Sequence, residues 1–100
     1  MEFRWDPAKA DENRKKHGVA FAEALTVFAD PLARIFDDPD HSTDEMREII
    51  VGHSAKQRLL LVSFTEWGTR VWLISARKVT KRERRDYEEN HTDWPQRRSR

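Results

Sequence analysis

The sequence predicts a small α+β fold: two N-terminal helices packed on a mainly antiparallel sheet of four to five strands, then a basic C-terminal helix. Three observations predict it. Helix-start and helix-stop residues punctuate the chain as far as Asp30-Pro31. The apolar pattern then changes to strand-like runs separated by turns of hairpin length. A segment dense in Arg and Lys follows the last of those runs.

The elements follow in order. Phe3-Arg4-Trp5 alternates and reads as a short edge strand. Asp6 is an N-cap residue and Pro7 fits the first helical position, so a helix starts there, runs through Ala8, Ala10 and Lys16, and stops at Gly18, where a left-handed conformation is needed. His17 gains from the dipole at that helix end. A second helix sets Phe21, Ala24, Leu25 and Phe28 on one stripe. Leu32–Phe36, Met46–Gly52, Arg58–Thr65 and Arg70–Lys78 are strand candidates, with Ala55-Lys56-Gln57 and Trp67-Gly68-Thr69 as hairpin turns. Leu59-Leu60-Leu61-Val62 lacks alternation, as a strand covered on both faces does. Thr80 and Glu83 form a capping box that opens the last helix. Its only large, partly apolar residue is Tyr87, so solvent, a partner or a ligand must meet its remaining surface. Residues 1–90 are expected to form one domain, and 91–100, with Trp94, Arg97, Arg98 and Arg100, a frayed tail.

Composition narrows the chemistry. The chain has 100 residues and a net charge of only +1, yet six of the nine residues from Arg77 to Arg85 are Arg or Lys. Such a cluster is costly unless solvated or matched by anions, and phosphate is the obvious anion. The segment Asp37–Glu48 carries six acids against Arg47 alone. It reads as a solvated loop or as a surface facing the basic helix. Cysteine is absent, which excludes disulfides, a thiolate nucleophile and Cys-ligated zinc. No apolar run approaches the length of a membrane span, and the N-terminus lacks a signal-peptide layout; a cytoplasmic protein is expected.

Familiar enzyme motifs are missing. Gly52-His53-Ser54-Ala55-Lys56 ends in Lys where a nucleophile elbow needs Gly. With three glycines there is no phosphate-cradling loop. Asp38, Asp40 and His41 lack the ligand count and turn glycine of a calcium site. No metal and no cofactor is therefore expected. What remains is acid–base and electrostatic chemistry, which suits RNA because its own 2′-OH supplies the nucleophile. An Arg closing an apolar strand, as Arg77 does, needs an anionic partner. Strand alternation places Arg77 with Ser75 and Leu73, and Lys78 with Ala76 and Ile74. His53 closes one strand and Arg58 opens the next across a hairpin. Histidine suits proton transfer, and equally suits an exposed turn. Glu83 serves as a cap or in catalysis, and Tyr87 as a docking aromatic or in catalysis. Trp5, Trp67 and Trp72 are candidates for base stacking; Trp72 alternates with Ile74, which favours core for it, and Trp67 sits in a turn where exposure is expected.

In order and spacing, the residues resemble the BrnT toxin family. The resemblance rests on Phe3-Arg4-Trp5-Asp6-Pro7-Ala8-Lys9, Asn13, Lys16-His17-Gly18-Val19, Val27-Phe28, Asp30-Pro31, Arg47, Gly52, Arg58-Leu59, Thr65-Glu66, Ile74-Ser75-Ala76-Arg77-Lys78 and Arg84-Arg85-Asp86-Tyr87, spanning roughly residues 2–90. It implies a RelE-like fold and a metal-independent ribonuclease of a type II toxin–antitoxin system that halts growth. It also implies a BrnA-type antitoxin, a ribbon-helix-helix protein that covers the toxin in a 2:2 hetero-oligomer and alone contacts DNA. The candidate catalytic set is Arg77, His53, Arg58, Arg84 and Tyr87, with Lys78, Lys81, Arg85 and Trp67 as RNA contacts; the resemblance puts Arg77 and Arg84-Arg85 near the concave sheet face. Two departures stand out. Ala20 occupies a position where the family often has a helix-capping Ser, and residues 92–100 lie beyond the match. Two other readings remain: a basic module that binds nucleic acid or the ribosome without cutting, and a protein that only engages an acidic partner.

Overall fold

Asp6 and Pro7 start the first helix as their chemistry requires. The Asp6 carboxylate accepts the Ala8 amide at 2.9 Å, and α1 (Pro7–His17) ends where Gly18 turns left-handed at φ 71°. A computed structural model describes residues 1–37 and 47–89. The elements that follow are α2 (Phe21–Ala24), a 3₁₀ segment (Leu25–Ala29), β2 (Arg34–Asp37), β3 (Glu48–His53), β4 (Leu59–Trp67), β5 (Arg70–Lys78) and α3 (Lys81–Glu88), with β1 (Glu2–Arg4) preceding α1. The five strands form one sheet in the order β1-β5-β4-β3-β2. β1 is the expected edge strand and runs parallel to β5; every other pair is antiparallel. The fold is α+β, as the sequence predicts.

One face of the sheet carries the main core. Val19, Phe21, Ala24 and Val27 pack on Ile50, Leu60, Val62, Phe64, Val71, Leu73 and Ala76. Phe28 links the layers, edge-on to Phe3 at 5.0 Å and to Phe64 at 5.1 Å. Trp5 lies edge-on to Phe21 at 5.9 Å, so this indole is committed to packing and not to a base. The opposite face buries a smaller cluster, Ile49, Val51, Leu59, Leu61 and Tyr87, beneath α3. Leu59–Val62 is thus buried on both sides, which explains its lack of alternation.

Three expectations change. The stripe Phe21, Ala24, Leu25, Phe28 presumes 3.6 residues per turn, but the helix tightens to 3₁₀ after Ala24, and burial follows a period of three through Phe21, Ala24 and Val27. Ala20 provides no side-chain cap to this helix. Simple alternation also fails in β5. The register shifts between Ser63 and Phe64, which pair with Ser75 and Leu73, leaving Ile74 as the extra residue of a bulge. Leu73 and Ala76 therefore share the helix-packed face, while Trp72, Ser75 and Arg77 share the other. Finally, α3 docks by more than Tyr87's ring. Tyr87 donates to the Leu32 carbonyl at 3.0 Å, and Arg34 donates to the Tyr87 carbonyl while lying over its ring at 4.8 Å.

The β5 edge beyond β1 is closed by a side chain. Buried Asn13 accepts the Ala76 amide at 3.0 Å, donates to the Ala76 carbonyl at 2.9 Å, and donates to the Val19 carbonyl at 2.9 Å. Asn13 is the one buried residue of α1, so the amide, more than any apolar stripe, docks that helix. The Asp38–Asp40–His41 group, the acids of the 38–46 segment and the tail residues lie outside the described residues.

Candidate active site

Sheet register sorts the candidates by face. On the α3 side, Arg34, Val51, Leu61 and Arg77 form one row across β2, β3, β4 and β5. His53 and Leu59 form the next row toward α3, and Thr65 with Trp72, then Trp67 with Arg70, continue the face in the other direction. α3 covers the apolar middle. Beyond it, the half bearing Trp67, Trp72 and Arg70 is open, with Trp67 72 % and Trp72 38 % exposed.

Arg77 stands where the covered and open halves meet. Its guanidinium grips Glu83 as a fork, Nη1 to Oε1 at 2.8 Å and Nη2 to Oε2 at 2.9 Å. Glu83 accepts the Thr80 amide as well, closing the capping box. Burial pushes the Glu83 carboxyl up, but the Arg77 fork and the Thr80 amide outweigh that and hold it below the usual range. Glu83 in turn raises the Arg77 pKa. The anion that Arg77 needs is supplied from within the chain, and the pair is only partly exposed.

His53 and Tyr87 come together in a second group, with ring centroids 6.2 Å apart. The His53 amide donates to Asp30 Oδ2 at 2.7 Å, and its ring Nδ1 is 3.9 Å from the same oxygen. Burial raises the Asp30 carboxyl, yet the amides of His53 and Leu32 and the His53 ring leave it lowered. Burial, then the charge of Asp30, pushes the Tyr87 phenol up against the opposing pull of Arg34. His53 opens onto a pocket of about 440 Å³ shared with Thr26, Asp30, Ser54 and Gln57. Gly52 makes the approach of Asp30 possible: a Cβ there would sit 2.8 Å from the Ala33 Cβ and 2.9 Å from Asp30 Oδ2.

Arg58 is elsewhere. Side-chain alternation turns it with Leu60 toward the helices, where Nε donates to Glu23 Oε2 at 2.9 Å and Nη2 also bonds Glu23 Oε1 and the Gly18 carbonyl. Ser54 Oγ donates to Glu23 at 2.6 Å. The Arg58 hydrogen bonds, assisted by Ser54 against the cost of burial, hold the Glu23 pKa at about 2. Of the remaining candidates, Lys78, Lys81, Arg84 and Arg85 are exposed, Arg84 reaches Glu88 at 3.4 Å, and Lys78, opposite Leu60, points away from the Arg77 face. The structure thus brings His53 to Tyr87, sets Arg77 on the same face two strands over and one row along, about 12 Å at the backbone, and leaves Arg58 on the other side. Arg34 and Asp30 are groups that sequence reasoning missed, since their contacts join distant segments. Trp72, a stacking candidate that alternation favours as core, stands instead on the open face.

Together, the five-stranded mixed sheet and its half-open basic face define a small α+β protein. A family model described as "Ribonuclease toxin, BrnT, of type II toxin-antitoxin system" matches residues 5–83. The chain belongs to this BrnT family. Among solved structures, the Brucella abortus ribonuclease toxin BrnT is similar, with 24 % identity and a TM-score of 0.65 over 81 % of this chain and 99 % of that chain. At that identity the likeness concerns the fold. No curated protein matches the sequence. Membership brings an RNA substrate and an antitoxin partner. Among the described residues, no helix is long and apolar enough to cross a membrane.

Proposed function

We propose that this chain is a metal-independent endoribonuclease that cuts RNA at a phosphate held by Arg77, and that a BrnA-type antitoxin neutralises it by covering the same face. The observation that supports this reading is the position of the Arg77 fork: bidentate, with the Arg77 side chain about one-third exposed, and bordering the open half of the sheet. RNA brings its own nucleophile. The 2′-oxygen bonds to phosphorus in line as the P–O5′ bond breaks; the 2′-OH proton passes to solvent and a solvent proton goes to the leaving 5′-oxygen. The protein must therefore supply an aligned phosphate and charge stabilisation, and the product is a 2′,3′-cyclic phosphate. A guanidinium already oriented by Glu83 meets the second need without rearranging its own stem. Glu83 is then a positioning residue. Arg84 and Arg85, on the exposed side of α3, and Lys81 at its start add long-range attraction for the polyanion. Growth inhibition through loss of translated RNA follows.

A second reading centres on His53. Its ring opens onto the 440 Å³ pocket with Asp30 behind it, an arrangement that can orient a proton-transferring imidazole. One strand, β4, lies between it and Arg77, and the two side chains stand in different rows of the sheet, so each forms its own candidate centre. The purified protein, with folding verified by circular dichroism, should cleave RNA in EDTA between about pH 6 and 9 and leave cyclic-phosphate ends. Intact RNA under those conditions overturns the proposal. Loss of cleavage in Arg77→Ala but not His53→Ala selects the first centre; the reverse selects the second.

A further inference from the structure

The open half of the α3-side face holds two exposed indoles that the fold does not need. Trp67 and Trp72 sit on adjacent antiparallel strands, Trp67 opposite Arg70 and Trp72 opposite Thr65, so they are diagonal neighbours about 7–8 Å apart at the backbone. With Ile74 they line a groove of about 750 Å³, and Lys9 of α1 and Arg70 reach its rim. The bulge at Ile74 is what aims Trp72 here: without the extra residue, its ring would share a face with Ala76. Exposed tryptophans paired on one face are costly, and they mark a surface built to be covered.

Charge selects the occupant. Arg4 and Arg70 share a single carboxylate, Glu2, at 3.0 and 3.2 Å, with all three side chains near half-exposed. Lys9 adds a further cation at the groove wall. A groove with aromatic walls and a cationic rim matches a polyanion with flat, apolar faces: nucleic acid whose bases are unpaired. Duplex bases are already stacked on each other and do not offer those faces. Trp72 and Arg77 lie five positions apart on β5, about 16 Å of strand. That leaves room for a short run of nucleotides between groove and fork.

We infer that Trp67 and Trp72 form a stacking platform for single-stranded RNA flanking the cleaved phosphate, with Lys9 and Arg70 holding neighbouring phosphates, so that the substrate class is unpaired RNA. The inference rests on the proposed cleavage at Arg77 for its orientation, but binding can be read separately. A labelled 2′-O-methyl oligonucleotide lacks the nucleophile and cannot be cut, so it reports affinity alone by fluorescence anisotropy. The single-stranded oligomer should bind at least tenfold more tightly than the same sequence in a duplex. Trp67→Ala and Trp72→Ala should each weaken binding about tenfold, with Trp67→Phe restoring most of it. Lys9→Gln should lower the slope of log affinity against log salt by about one. All variants are checked for an unchanged melting temperature. Equal binding of duplex and single strand, or wild-type affinity in both Ala variants, overturns the platform. Loss of antitoxin binding with RNA affinity unchanged also overturns it, by assigning the groove to a protein partner. Stacking without any cleavage of ordinary RNA by the wild-type protein would refute the nuclease reading and leave the groove standing.

Discussion

Two arginine–carboxylate forks hold this molecule together at opposite faces, and they differ in what surrounds them. Arg58 and Glu23 meet on the helix side, where Ser54 and the Gly18 carbonyl complete the set and Glu23 is only 5 % exposed. Arg77 and Glu83 meet at the rim of the open half, where the Arg77 side chain is 36 % exposed and Glu83 22 %. Arg58 itself is 31 % exposed, so solvent reaches the two cations to similar degrees; it is the carboxylate that is sealed in one fork and partly open in the other. Burial of the carboxylate, not the pairing itself, separates the two forks. A buried charge left alone is severely penalised, whereas a rim charge can change partners at little cost.

The largest effect expected from this contrast is on stability. Arg58→Ala leaves Glu23 buried without its main partner and should cost about 3–5 kcal/mol, read as a fall in the urea midpoint. A loss below about 1 kcal/mol would make the two forks equivalent. Next comes acid. Glu23 has an ordinary pKa of 4.5 and a folded pKa of about 2, so its contribution is fully present above the ordinary value and disappears as pH falls through the folded one. The gap corresponds to about 3 kcal/mol between those limits. The melting temperature should therefore fall between about pH 4.5 and pH 2, and Glu23→Gln should flatten that fall. Asp30 and Glu83, also lowered, act in the same direction. The smallest change in stability belongs to Arg77→Ala, about 1 kcal/mol, because Glu83 keeps the Thr80 amide and faces water. Its effect should appear in kcat/KM instead, as a loss of about a hundredfold, near 2.7 kcal/mol of transition-state binding. Equal losses of activity in Arg58→Met and Arg77→Ala, with Arg58→Met still folded, would erase the distinction.

Much of the architecture was legible because its causes are local. Asp6, Pro7, Gly18, Thr80 and Glu83 carry their cap chemistry with them, and the β5 limits Arg70–Lys78 coincide with the predicted run. The site was less so. Alternation assumes a regular pleat, and a single extra residue at Ile74 reverses the faces of everything before it, which is why Trp72 read as core. Arg58 and Glu23 are 35 positions apart, with no local pattern to announce their meeting. Arg34 over Tyr87 and His53 against Asp30 are likewise contacts between distant segments, visible only once β2, β3 and α3 are placed. The polar last helix was correctly seen as needing something beyond an apolar stripe. What it needed was a fork at its start and an Arg under its final turn.

The Asn13 amide has a consequence for assembly. At Ala76 it occupies both the donor and the acceptor that a sixth strand would use, so β5 offers no backbone there on which a second chain could be templated. An Asn13→Asp change would preserve the shape while removing the donor, exposing the Ala76 carbonyl and reopening that edge. A toxin must remain discrete both when bound to its inhibitor and after release. In this chain a single carboxamide guards one margin of the sheet against self-association.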